Sequence, residues 1–104
     1  MKTLHKGGPE PRTERYATQL LHDEPNIRVI AFHLLAGQSV PPHENDSTVV
    51  LQVVEGSALF RGNDGEAMLS AGMGVVYAPG ELHSIVAVDG PLRFHAFISP
   101  SPSR

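Results

Sequence analysis

Gly37-x5-His43-x-Asn45-x3-Val49-x6-Gly56, followed by Gly72-x5-Ala78-Pro79-Gly80-x2-His83, is the stretch on which the reading of this chain turns. Pro41-Pro42 fixes an extended approach to His43, so a single imidazole is presented on a stiff stem at the start of a strand. His83 follows the Pro79-Gly80 turn in the same way. Between and after these histidines run Val49-Val50-Leu51-Gln52-Val53-Val54 and Ile85-Val86-Ala87-Val88, in which the alternation of a half-exposed strand is nearly lost.

Outward from this stretch, turn residues recur at short, regular intervals, which favours an all-β barrel or sandwich over anything built from helices. Strands are expected near Tyr16 to Leu21, Ile27 to Leu35, Thr48 to Glu55, Ser57 to Arg61, Glu66 to Leu69, Gly74 to Tyr77, Leu82 to Val88 and Leu92 to Ser99. Gly62-Asn63-Asp64-Gly65 supplies positive-φ residues for a hairpin, as does Asp89-Gly90. Residues 1–14, rich in Gly, Pro and charge, read as a loose arm, and residues 99–104 as a flexible tail. The whole, 1–104, is read as one domain, since 104 residues with 40% apolar content suffice for a single core.

Strands apolar on both faces need two partners. One face fills the interior and the other is expected to pack on a second subunit, giving a homodimer. The alternative is that the N-terminal segment folds across the outer face.

With 8 Lys and Arg against 11 Asp and Glu, the chain lacks the basic footprint of a nucleic-acid binder. No run approaches the roughly 20 apolar residues of a membrane span, and the N-terminus has no apolar signal-peptide core. A cytoplasmic protein with neither nucleic-acid nor membrane partners is expected. The absence of cysteine confines any transition-metal site to His, carboxylate, amide or water.

Residues two apart on a strand share a face, so His43 and Asn45 are expected to point together, and His83 to share a face with Ile85 and Ala87. If their strands are neighbours, the two imidazoles converge. A metal ion usually takes three or more protein ligands, and further candidates are His95 and, less directly, His33. In Arg93-Phe94-His95-Ala96-Phe97-Ile98 the more apolar face is Phe94, Ala96 and Ile98, which turns His95 outward. Glu44 is expected to be solvated, Gln52 to be a surface or interface amide, and Tyr77 to be packing. His5 and His22 read as surface residues. Ile30, Phe32, Leu51, Val53, Ile85 and Phe94 are expected to line an apolar pocket whose polar set is His43, His83 and Asn45, the composition of a small-molecule site. The competing reading is a barrel simply filled by side chains.

From Gly37 to His83 the chain resembles the two motifs of the cupin family: Gly, five residues, His-x-His, three or four residues, Glu, six residues, Gly; then a second motif ending Pro-x-Gly-x-x-His. The resemblance implies a double-stranded β-helix, or jelly-roll barrel. It also implies that His43 and His83 are metal ligands or pocket groups. Asn45 stands where the family's second His usually sits, Val49 where the Glu sits, Ala78 at the first Pro of the second motif, and Ala87 at its final Asn.

Two functional classes follow. One is a small metal-dependent enzyme in which His43 and His83 hold a divalent ion (Fe, Mn, Ni, Cu or Zn), with Asn45 or water completing the shell. The other is a non-catalytic module that binds a small-molecule ligand without metal. Phosphate-loop and dinucleotide signatures are absent, and no serine sits on a strand-to-helix elbow.

Overall fold

The computed structural model describes residues 1–4 and 8–102; the expectations for His5 and for residues 103–104 lie outside them. The described residues form nine strands: β1 (Ala17–Glu24), β2 (Ile27–Leu34), β3 (Ser39–His43), β4 (Thr48–Glu55), β5 (Ser57–Gly62), β6 (Gly65–Ser70), β7 (Gly74–Tyr77), β8 (His83–Ala87) and β9 (Leu92–Ser99). They make two antiparallel sheets, in the order β1-β2-β9-β4-β7 and β3-β8-β5-β6. The architecture is the expected all-β jelly roll, although hydrogen bonding does not close the two sheets into one continuous barrel.

The core lies between the sheets. Val49, Leu51 and Val53 of β4 stand opposite Ile98, Ala96 and Phe94 of β9, so one alternating set from each strand faces inward. Across the gap they meet Val40, Ala58, Phe60, Ile85 and Ala87 of the smaller sheet. The aromatic members cluster on Phe94: Phe32 stacks on it at 4.6 Å between centroids, and Phe60 meets it edge-on at 5.9 Å. Such offset and edge contacts suit the ring quadrupoles.

The second apolar face has two fates. At β2, Val29, Ala31 and His33 point away from the core yet are buried. The chain's own N-terminal segment runs against them: the Pro9 carbonyl accepts a hydrogen bond from His33 Nδ1 at 2.9 Å, and Gly8 sits close over Ala31. Farther along the sheet, Phe97, Val50 and Val76 continue the row without that cover, and Val76 is 65% exposed.

Three local expectations are corrected. The sequence pattern predicts no strand at β3, whose two prolines argue against a ladder position, but β3 is an edge strand, where a missing donor is tolerated. The β5–β6 hairpin, by contrast, takes its positive φ at Gly65 (136°), one of the residues expected to supply it, with Asn63 and Asp64 at negative φ. Finally, residues 99–102 are tied down. Ser47 Oγ donates to the Pro100 carbonyl at 2.6 Å, Ser101 N to the Pro25 carbonyl at 3.1 Å, and Ser101 Oγ to Asp23 at 2.6 Å. The segment expected to be loose at the other end is likewise anchored, Gln38 Nε2 donating to the carbonyl of Arg12 at 2.6 Å.

Candidate functional site

His43 and His83 stand directly opposite each other on β3 and β8, their ring centroids 4.2 Å apart. Parity alone would not put them there. Val40 pairs with Ile85 and His43 with His83, so three residues of β3 span what two span on β8. The β-bulge at Pro41-Pro42 absorbs the extra residue and turns His43 onto the face of Val40 and His83. His43 is therefore the last residue of a short edge strand, not the first of the next one.

Both rings are fixed in one way. His43 Nδ1 bonds the Pro41 carbonyl at 3.0 Å and His83 Nδ1 the Glu81 carbonyl at 2.9 Å, in each case two residues back along the chain. A carbonyl can only accept, so each Nδ1 carries the hydrogen, and in the neutral rings each Nε2 is left as a lone pair. His43 is exposed at the mouth, while His83 is 4% exposed and sandwiched between His43 and Tyr77, whose ring stacks on it at 4.4 Å and 16°. Burial pushes the His83 pKa below its usual 6.5; the Glu81 carbonyl opposes this and His43 adds to it. The Tyr77 phenol, 2% exposed, is pushed up to about 12 by burial and by the nearby carboxylates of Glu81 and Asp64. Its hydroxyl has no hydrogen-bond partner among the described residues.

The turn that presents His83 is bolted in place. Gly80, at φ 77°, donates its N–H to the Asn45 carbonyl at 2.7 Å, joining the β7–β8 turn to the β3–β4 loop. The Glu81 carboxylate accepts from Ala78 N at 3.0 Å and from Asn63 N at 3.1 Å, tying that turn to the β5–β6 hairpin. Beside His43 opens a concavity of about 170 Å³ walled by Tyr16, Phe32, Val40, Pro41 and His43.

The remaining candidates separate clearly. Asn45 lies in the loop after β3, not on the strand, and its Oδ1 accepts from Ser47 N at 3.0 Å in a local turn. His95 pairs with Ala31 and Gln52 on the outer face of the large sheet, next to the Phe97 ring, and so on the opposite side of that sheet from the core. Its regular register allows nothing else. His33 shares the outer face. Of the six apolar candidates, Phe32 reaches the concavity and Ile30 packs half-buried against the core. Leu51, Val53, Ile85 and Phe94 are each at most 3% exposed and fill the interior. Sequence reasoning missed Tyr16, Val40 and Pro41 as walls, Tyr77 as the stacking partner of His83, and Glu81 as the bolt. Only Tyr77 carried a usable signal, since period two places it on the same face as Val75.

Comparisons with known proteins agree with this fold. Residues 24–103 match the family described as the AraC-like ligand binding domain, and the chain belongs to that family. Among solved structures, it is similar to an RmlC-like cupin protein from Desulfovibrio desulfuricans, at 24% identity over 96% of this chain and 97% of that one, with a TM-score of 0.86. It is also similar to TT1209 from Thermus thermophilus (23%, 90% and 91%, 0.85) and to KdgF from Halomonas sp. (17%, 90% and 86%, 0.82). These likenesses show the fold alone. No curated protein matches.

Proposed function

We propose that this chain is a metal-independent small-molecule binding module whose site is the mouth walled by Tyr16, Phe32, Val40, Pro41 and His43, with His83 behind it. The observation that carries this reading is His43, its Nδ1 held by the Pro41 carbonyl so that Nε2 is the acceptor, at the rim of an open apolar concavity with the buried His83 ring packed against it. An imidazole acceptor amid aromatic and aliphatic walls is what orients a ligand in a mostly apolar site. At about 170 Å³ the concavity is smaller than the roughly 300–1,000 Å³ of drug-sized sites, so it takes a compact group or one end of a longer ligand.

A cupin-type metal would need donors that these residues do not supply. No group of three His, Asp or Glu side chains converges among the described residues. Val49, at the family's Glu position, has no donor atom and is buried in the core. Asn45 lies in the loop after β3 with its amide oxygen turned to Ser47 N, and the Tyr77 phenol stays protonated at neutral pH. His43 and His83 alone leave a donor set one short of the usual minimum.

The test is thermal stability of protein purified without a histidine tag, with and without chelator, against a panel of small organic molecules. Chelation is expected to change nothing, and a ligand-dependent rise in Tm is expected in wild type but not in His43→Ala. Stoichiometric first-row metal in wild type, lost in both His43→Ala and His83→Ala, would replace this reading with the metal-dependent one.

We also infer that the module is a homodimer joined through the outer row of Phe97, Val50 and Val76. Its support is the apolar strip left uncovered where the N-terminal segment stops. Equilibrium sedimentation of wild type and Val76→Asp distinguishes a dimer from a monomer.

A further inference from the structure

The mouth does not end at His43. A second concavity of about 490 Å³, lined by Glu14, Arg15, Tyr16, Gly37, Gln38, Ser39 and Pro41, shares the Tyr16 and Pro41 walls with the first. Most of its polar groups are already committed. Arg12 donates to Glu14 Oε1 through Nε at 3.0 Å and Nη2 at 2.8 Å, and Thr13 Oγ1 donates to Oε2 at 3.2 Å, so this cation and this anion neutralise each other. The Gln38 amide is spent at both ends, accepting from Leu35 N at 2.9 Å and donating to the Arg12 carbonyl at 2.6 Å. That leaves Arg15. It forms no ion pair among the described residues, and its guanidinium carbon lies 5.0 Å from the centroid of the Tyr16 ring, over the wall that the two concavities share.

Resting on the reading of the mouth as a binding site, we propose that its ligand is a small organic carboxylate spanning both concavities. The carboxylate pairs with Arg15, an apolar or aromatic body lies on Tyr16 and Phe32, and a hydrogen-bond donor at the far end meets His43 Nε2. The guanidinium fork matches a carboxylate through two parallel hydrogen bonds, and its stacking on Tyr16 holds the fork in place before the ligand arrives. With the Arg12–Glu14 charges cancelled, the groove is cationic by Arg15 alone. A neutral ligand of the same shape would forgo that pairing.

The experiment uses 4-hydroxyphenylacetate and its neutral amide, which share a ring and a phenolic donor and differ in the charged end. Binding is followed by amide chemical-shift changes in 15N-labelled full chain, for wild type, Arg15→Gln and His43→Ala. Wild type is expected to bind the acid about tenfold more tightly than the amide, with shifts at Phe32, Val40 and Arg15, and added salt should shrink that ratio. Arg15→Gln, an exposed change whose spectrum reports its folding, should reduce the ratio to near one, whereas His43→Ala should weaken both compounds and preserve it. A ratio unchanged in Arg15→Gln, or no preference in wild type, overturns the carboxylate assignment and leaves the mouth standing as a site. Absence of shifts at Phe32 and Val40 with either compound overturns the mouth as well.

Discussion

His83 couples the site to stability, because its ring is buried where a charge is poorly solvated. A folded-state pKa below the unfolded 6.5 means that, as pH falls, the unfolded chain takes up this proton before the native protein does. The stabilisation is therefore fully present above about 6.5 and is lost as pH drops through and below it. Urea melts of wild type and His83→Gln between acid and neutral pH should show the wild-type advantage shrinking on the acid side; an advantage that grows there would refute the assignment. Tyr77 makes the opposite kind of statement. Its stacking on His83 needs the ring but not the hydroxyl, which is buried without a partner among the described residues. Tyr77→Phe should be neutral or stabilising by up to about 1 kcal/mol in denaturant titration, since it removes a desolvated polar atom at constant shape. A loss larger than that would reveal a partner for the phenol.

At the scale of elements, legibility follows the regularity of the backbone. Eight strands can be read from apolar runs bounded by turn residues, and β4 from Val49 to Val53 keeps one residue set inward against β9. The same parity turns His95 outward. The ninth strand escapes because Pro41-Pro42 breaks both propensity and register, and the bulge that brings His43 onto the face of His83 exists only when β8 lies alongside. The Asn45 expectation fails for the same reason: it extends strand parity into a loop where a side-chain-to-backbone turn takes over. Tyr16 and Gln38 are illegible as site residues because their places depend on the N-terminal segment crossing the β2–β3 connection. The β4–β5 connection gives a direct test of such local demands. Gly56 sits at φ 85°, and a Cβ there would run into the carbonyl oxygen of Pro91. Gly56→Ala should cost roughly 2 kcal/mol or more, from left-handed strain and overpacking together, read as a lowered urea midpoint at unchanged m.

For the whole molecule, the double-sided apolar pattern of the sequence resolves into one covered and one uncovered stretch of the outer face. The N-terminal segment closes over Ala31 and His33, and the row through Val50 and Val76 is left uncovered, the face proposed above to carry a second copy. If a second copy covers it, thermal stability must depend on protein concentration, because association stabilises only the native state. Tm of wild type should fall as the protein is diluted a hundredfold, and that of Val76→Asp should be flat; a flat wild-type series would argue for a monomer. The fold is legible from the glycine and proline punctuation around His43 and His83, whereas the ligand is not, because no spacing in the sequence encodes which walls meet at the mouth.

The edge strand β3 carries one more consequence. A strand at the margin of a sheet ordinarily offers a row of amide hydrogens to any passing β-segment, and from there to fibre growth. Pro41 and Pro42 have no amide hydrogen to offer, and the bulge bends the backbone between them and His43. The rim that must stay open to small solutes is thereby a poor template for aggregation.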